Sequence, residues 1–470
     1  MLKRLVAVLL SLSLAACTAP SPVTQAPPTP PPTDTNALLE RVERDTFQWF
    51  WDTTNPKNGL VPDRWPTKSF SSIAAVGFGL TAYGIGAERG WVTREAAANR
   101  VLTTLNFFIN APSGPQPTGV AAYRGFYYHF LDMDTGERFK TVELSTIDTT
   151  LMLAGALFCQ SYFNQDNATE RAIRDAAEEL YRRAEWTFFH ERPPLVSMGW
   201  TPENGLLDWD YTGYNEAMIL YVLALGSPTH PIDESAWAAY TKTYKWGTFY
   251  GQEHLNFAPL FGHQYSHVWI DFRGIQDAYM RSKGIDYYEN SRRATLSQRQ
   301  YAIDNPGGFR GYGPNVWGLT ACDGPMDGKL TIDGKQREFK TYHARGAAVG
   351  EIRDDGTIAP TAAVSAIAFA PEIAIPAMAE MQKRHGSNLY RQYGFIDAFN
   401  ETLHVDVKVQ QGAVVPGVGW FNTDYLGIDQ GPIVAMIENH RSGLVWETMK
   451  KNPHIVRGLK RAGFTGGWLQ

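Results

Sequence analysis

Three observations predict an all-α chain built as an (α/α)6 toroid, a barrel of helices with long loops and a few short strands. Apolar residues recur with the helical period in most long segments, and few stretches alternate with period two. Two kinds of helical segment alternate along the chain, one small and apolar all round, the other charged along one side. Composition is uniform from about residue 36 to the C-terminus with no second linker, a length that needs either two domains or one large closed architecture. A helix apolar all round requires neighbours on every side, whereas a striped one keeps its back in water. The alternation therefore predicts an inner ring wrapped by an outer ring, six hairpins around one cavity. An open helical solenoid is the competing arrangement, but no repeat of fixed period is visible.

The first residues, MLKRLVAVLLSLSLAAC, combine a basic start, an apolar run from Leu5 to Leu14 and a small-residue cleavage site. Residues 1–16 thus resemble a bacterial lipoprotein signal, with Cys17 as the lipidated residue. The run is too short for a spanning helix, so the expected membrane contact is the lipid anchor only. Thr18 after Cys17 favours the outer membrane, facing the periplasm or the cell surface. Residues 17–35 form a proline-dense tether outside the fold. A single catalytic domain is expected over 36–470.

Within it the apolar, inner-type segments are 71–88, 145–163, 214–226, 360–381 and 432–447. The striped, outer-type segments are 93–109, 167–189, 233–246 and 452–464. Glycine- and aromatic-rich loops at 118–139, 305–325 and 414–432 interrupt them, the first and last with room for short strands or hairpins. Loops this long in a compact domain are usually functional.

A net charge of −5 without a Lys/Arg stripe argues against a nucleic-acid partner. Aromatics at 13% and charged residues at only 19% are compatible with a neutral, hydroxyl-rich ligand. Cys159 and Cys322 lack metal-type spacing and are either one disulfide or two buried thiols.

Three inner-type helices begin beside acids: Glu143 and Asp148 in VELSTIDTT, Glu216 in GYNEAM, and Asp424 and Asp429 in NTDYLGIDQGP. Converging on one rim, two such carboxyls could flank a glycosidic bond as proton donor and as base or nucleophile. Apolar surroundings raise the pKa of a donor. Each acid also has a structural explanation. Ser145 and Asp148 form a capping pattern. Glu216 falls in the first turn of its helix, where the macrodipole favours an anion. Asp429 precedes Gly431-Pro432, a helix-start signal, and Asp208 and Asp210 suit a solvated loop.

Loop aromatics tip the reading toward carbohydrate, because an indole face suits the C–H face of a sugar while carboxylates take its hydroxyls. Trp200, Trp209, Trp317 and Trp420 lie in loops, and Tyr214 flanks Glu216. Asp208, Trp209, Tyr214, Trp317 and Trp420 are accordingly substrate-binding candidates. His263, His267 and Asp271 recur every four residues, a spacing that can chelate zinc, but Gln264 stands where a metalloprotease helix needs Glu. Contacts to substrate, or satisfied core histidines, are the alternatives. A lyase on an α/α toroid would need basic residues for uronate recognition, and the rim holds few apart from Arg124 and Arg273.

Seven segments in order, among them GFGLTAYGIGAERGWVTREAAANRVLTTL, ELSTIDTTLMLAGAL, YNEAMILYVLALGSPTHP, PLFGHQYSHVWIDFRG and GIDQGPIVAMIENHRSGLVWE, resemble the glucoamylase-like domain of glycoside hydrolase family 144, the β-1,2-glucanases. The resemblance runs from about Thr46 to the C-terminus. It implies an (α/α)6 barrel and hydrolysis of β-1,2-glucan by inversion, endo-acting or releasing sophorose from an end, without metal or other cofactor. By the same resemblance Glu216 is the acid, Asp429 the base with Asp424 as second choice, and Glu143 and Asp148 further acids of the pocket. A non-catalytic glycan-binding surface lipoprotein is the alternative from another class.

Overall fold

The computed structural model describes residues 34–470. The signal segment, Cys17 and nearly all of the tether lie outside the described residues.

The chain alternates between an outer and an inner helix. Outer α1 (Thr35–Thr53) leads to inner α2 (Ile73–Glu88), outer α3 (Arg94–Asn110) to inner α4 (Thr146–Tyr162), and outer α5 (Ala168–Arg183) to inner α6 (Met218–Gly226). Outer α7 (Ser235–Lys242) leads to inner α8 (Tyr265–Trp269). The short α9 (Ala278–Lys283) and the outer α10 (Tyr287–Asp304) precede inner α11 (Pro360–Val364), and outer α12 (Pro371–His385) precedes inner α13 (Gly427–Arg441). Six inner helices ringed by six outer ones make the (α/α)6 toroid. Helices α14 (Leu444–Met449) and α15 (Pro453–Arg461) complete the chain.

Burial separates the two rings as the amphipathic patterns require. Every residue of α6, α8 and α11 is buried, while α3 and α5 bury one face. The ring closes by packing of α13 against α2 and by side chains that bond the backbone of the next inner helix. Ser266 of α8 accepts from Ile219 N–H (3.1 Å) and donates to Glu216 O (2.8 Å). Gln264 Nε2 donates to Ala362 O (2.8 Å) of α11, and Thr361 Oγ1 donates to Asp429 O (2.9 Å) of α13. These contacts gather the N-terminal ends of the inner helices on one side. Helix α14 packs at the opposite ends of α4, α8 and α13, where Trp446 Nε1 donates to His267 O (2.6 Å).

The sheets are short and antiparallel, and several lie where an inner helix begins. Ser71-Ser72 pairs with Phe130-Leu131 ahead of α2, Leu144-Ser145 with Gly199-Trp200 ahead of α4, and Tyr425-Leu426 with Arg64-Trp65 ahead of α13. They therefore present residues flanking these strands to the same rim.

Several expected boundaries shift, each for a local reason. The segment 360–381 is α11, a 3-10 turn and α12, broken before Pro371, whose ring disfavours helical backbone at the preceding Ala370. The segment 432–447 begins at Gly427 and breaks at Ser442-Gly443, so Pro432 is inside α13 and not at its start. Likewise α6 starts at Met218, leaving Glu216 in the turn before the helix. His263 and His267 do not share one helix, since a 3-10 turn at Leu260–His263 ends before α8. Cys159 and Cys322 are both free buried thiols. No helix among the described residues is long and apolar enough to cross a membrane.

Inner helices α2 and α4 cross with their backbones in contact. A Cβ on Gly77 would lie 2.1 Å from Leu151 O, and one on Gly155 would lie 2.1 Å from Gly77 O, so two backbones touch where only hydrogen fits. Gly77→Ala should destabilise the protein by about 1–3 kcal/mol, the usual cost of overpacking. Thermal unfolding of the variant, set beside Gly313→Ala, where an added Cβ meets nothing within 4 Å and the backbone is not left-handed, checks that the loss comes from the crossing.

Candidate active site

Two groups of acids stand on the rim of the inner ring. In the first, Ser145 caps α4 by accepting from Asp148 N–H (3.2 Å), and its hydroxyl also donates to the Asp148 carboxylate. His129 lies between this acid and Glu143, with Nδ1 2.8 Å from Glu143 Oε1 and Nε2 3.6 Å from Asp148 Oδ2. Burial disfavours charge on the imidazole, yet Asp148, Glu143 and Asp63 outweigh it and hold its pKa up to about 10. Burial likewise opposes the Glu143 carboxylate, but His129 brings its pKa below the ordinary value.

Glu216 completes this group. Asn215 shapes the turn before α6, accepting from Ala217 N–H (3.0 Å) and Tyr240 Oη (2.9 Å) while donating to Thr212 O (3.1 Å). Glu216 keeps part of its surface open to solvent, but its Oε2 is buried and has no hydrogen-bond partner among the described residues. The phenols of Tyr211, Tyr240 and Tyr265 feel its charge. Burial pushes its pKa up to about 7, its own backbone N–H opposing and the Asp148 charge adding.

The second group is built around Arg64. Its guanidinium lies 2.9 Å from Asp323, 3.3 Å from Asp63 and 3.9 Å from Asp424. Asn422 Nδ2 donates to Asp323 and Asp397 (both 3.0 Å), and Asp323 N–H donates to Asp397 (2.9 Å). Asp397 in turn is hydrogen-bonded to Asp429 in the first turn of α13. Burial raises both, Asp397 to about 6, and their proximity pushes Asp429 further up, so the pair holds one proton between its carboxyls. Asp424 accepts from Thr67 N–H (3.0 Å) and faces Arg64, which gives it a bracing role in the wall.

Tyr265 joins the two groups. Pro432 has no N–H to offer Ile428 O, the carbonyl four residues back in α13, and Tyr265 Oη donates to that oxygen (3.3 Å). The same phenol is in electrostatic reach of Asp429, Glu216 and Asp148. Acids far apart in the chain thus face one space across a tyrosine. The arrangement offers a protonated carboxyl on one side and a singly protonated carboxyl pair on the other, which suits general acid and base work.

Of the residues singled out from the sequence, Glu143, Asp148, Glu216, Asp424 and Asp429 meet at this rim. Trp209 is 37% exposed in the loop before Glu216, and Asp208 is exposed beside it. Others do not reach the space. Tyr214 is buried, parallel to Tyr287 and tilted against His263. His263 bonds Phe257 O (3.1 Å) and His267 bonds Ser291 (3.0 Å), and burial pushes both imidazoles below their ordinary pKa. They are core histidines, each bonded through Nε2 only, with Nδ1 buried and without a partner among the described residues. Trp317 and Trp420 are fully buried and cannot offer a face to a ligand, Trp420 Nε1 donating to Gln411 O (2.6 Å). Arg273 pairs with Asp271 (2.7 Å) and lies over Trp446, at the far end of the ring. Among the described residues no group of His, Cys, Asp and Glu side chains is arranged to hold a metal ion.

Residues missed in the sequence include His129, Asp63, Arg64, Asp323, Asp397 and Tyr265. The available signal was an acid between apolar neighbours, as in Ile396-Asp397-Ala398-Phe399, where burial of a carboxyl demands a reason.

The family profile described as "Glycoamylase: Putative glucoamylase" matches residues 208–453. The exo beta-1,2-glucooligosaccharide sophorohydrolase (non-reducing end) of Parabacteroides distasonis is 30% identical over 461 residues, covering 90% of this chain. The chain spans 57% of that relative's length. The endo-beta-1,2-glucanase of Chitinophaga pinensis, solved with sophorotriose and glucose, is similar with a TM-score of 0.79 at 30% identity, over 93% of this chain and 100% of that one. A beta-1,2-glucanase structure from Parabacteroides distasonis has a TM-score of 0.76 at 27% identity, over 92% of this chain and 60% of that one.

The His129 environment makes stability depend on pH with a definite sign. Its folded-state pKa of about 10 lies above the ordinary value near 6.5, so its contribution is complete below the ordinary value and is lost as pH rises through about 10. His129→Gln should therefore lower the unfolding free energy in urea clearly at about pH 6.5, and the gap to wild type should narrow at about pH 10.5. A gap independent of pH would reject the charged imidazole.

Proposed function

The chain belongs to the glucoamylase-like family named Glycoamylase, and from that premise we propose that it hydrolyses β-1,2-linked glucan by an inverting acid/base mechanism. The observation that carries this reading is Glu216, a carboxyl with a partnerless buried oxygen and a pKa near 7, facing the Asp397–Asp429 pair across Tyr265. The named activities of the relatives supply the substrate class.

Glu216 is the acid. Held protonated by burial, its free oxygen delivers the proton to the glycosidic oxygen as the bond to the anomeric carbon breaks. The Asp397–Asp429 pair is the base side, its single negative charge accepting a proton from a water that attacks the opposite face of the sugar. The charges on Asp148 and Glu143, neutralised in part by His129, sit beside the acid and favour the cationic character of the sugar in the transition state. A β-linkage opened in this way releases an α-anomer first.

Glu216→Gln should cut kcat on linear β-1,2-glucan by about 10²- to 10⁴-fold, the usual worth of a general acid. Its melting temperature should stay close to wild type, because one carboxyl oxygen has no bond to lose. A variant that unfolds would favour a structural role. In wild type, kcat/KM should climb as pH rises through about 6, where Asp397 and its partner lose a proton, and fall as pH passes about 7, where Glu216 loses its own. NMR of the first product formed distinguishes the α-anomer of inversion from the β-anomer of retention.

On the same reading Cys17 anchors the enzyme by lipid at the outer membrane, facing the periplasm or the cell surface. Cys17→Ser should shift the protein from the membrane fraction to the soluble one.

A further inference from the structure

We propose that Tyr342 is a sugar-binding residue whose ring forms a platform for a glucosyl unit on the Asp429 side of the cleavage point. The inference rests on the β-1,2-glucan reading and assigns a specific contact within it.

Three observations carry it. Tyr342 is 42% exposed, yet its hydroxyl feels Asp429, Asp63, Asp397 and Asp323, all of which are buried. Burial is the largest influence on that phenol and raises its pKa, and the ladder in which Cys322 pairs with His343 sets Tyr342 beside Asp323. Among the described residues it stacks on no other ring and makes no hydrogen bond through its hydroxyl. A single exposed aromatic is ordinary on a protein surface. One that overhangs a buried acid group is not, because the same area could be covered by a polar side chain able to bond the carboxylates.

The third observation is how firmly its backbone is held. Arg345, fully buried, donates to the carbonyls of Lys340 (3.0 Å) and Thr341 (3.3 Å), immediately before Tyr342, and to those of Cys322 (2.8 Å) and Asp323 (3.3 Å). Its Nε and Nη2 also form a two-point pair with Asp355, each bond 2.7 Å. Thr341 is bonded twice to Asp327, and His343 pairs with Cys322 in a short antiparallel ladder. One buried guanidinium therefore locks the segment carrying Tyr342 to the strand Ala321–Cys322 that Asp323 follows. A ring held rigidly at its base and left free at its face is preorganised for a flat apolar partner, and the C–H face of a pyranose is such a partner.

The test is steady-state hydrolysis of linear β-1,2-glucan by Tyr342→Phe, Tyr342→Ala and Tyr342→Leu, with thermal unfolding of each. Tyr342→Phe should keep KM within about twofold of wild type, because the ring is retained. Tyr342→Ala and Tyr342→Leu should raise KM about tenfold or more, the loss of one stacking contact, with an unchanged melting temperature. Equal KM in all three overturns the proposal, as does a Phe variant as impaired as Ala, which would move the role to the hydroxyl. Wild-type protein that neither binds nor hydrolyses the glucan overturns the substrate reading together with this one. Wild-type activity with an unmoved KM in the Ala variant overturns this inference alone.

Discussion

Carboxyl groups held over a ring of helices that are apolar on every side set the terms for the rest of this molecule. The inner helices fill the centre with hydrocarbon, so an acid at their starting ends loses water on the protein side without leaving the reach of solvent on the other. Every acid at the rim answers that loss in a different way. Asp323 takes Arg64 and Asn422, Glu143 takes His129, and Asp397 shares a proton with Asp429. Glu216 has neither a cation nor a second carboxyl bonded to it and leaves a buried oxygen without a donor, so burial raises its pKa instead. Opposite protonation states on two sides of one space follow from unequal compensation of the same desolvation.

The ring that imposes this is itself held by unusual economy of space and by polar contacts at its ends. Glycines at the α2–α4 crossing let backbones touch, and Gly431 accommodates the Phe78 ring where α13 meets α2. At the rim, hydroxyl and amide side chains of one inner helix satisfy backbone groups of the next. Tyr265 is the case where the structural and chemical demands coincide. Pro432 leaves a carbonyl without a donor, the phenol that answers it becomes fixed, and that fixed phenol lies between the two sets of acids.

Much of the architecture was legible in the sequence, because helical period and the contrast between apolar and striped segments are local properties. The boundaries that moved were those where a single residue competed with the pattern, such as Pro371 ending one helix and Pro432 being tolerated within another. The site was legible in part. Glu216, Asp429, Glu143 and Asp148 stand near the starts of apolar helices, Glu216 with aromatic residues close by, which marks them in the chain. His263, His267, Trp317 and Trp420 carried the same outward marks, yet folding turned them into the core.

By itself, then, the sequence determined an alternating two-ring helical barrel, the family to which it belongs, and a short list of acids at the mouths of inner helices. It could not determine which polar groups face each other, because that depends on residues far apart in the chain, as with Arg64 and Asp323 or Asp148 and Glu216. Tertiary structure decided the partner of each carboxyl, and partners decide where the protons reside. Desolvation and pairing are properties of a three-dimensional neighbourhood, so no reading of residues in order could have separated an acid that keeps its proton from one that gives it up.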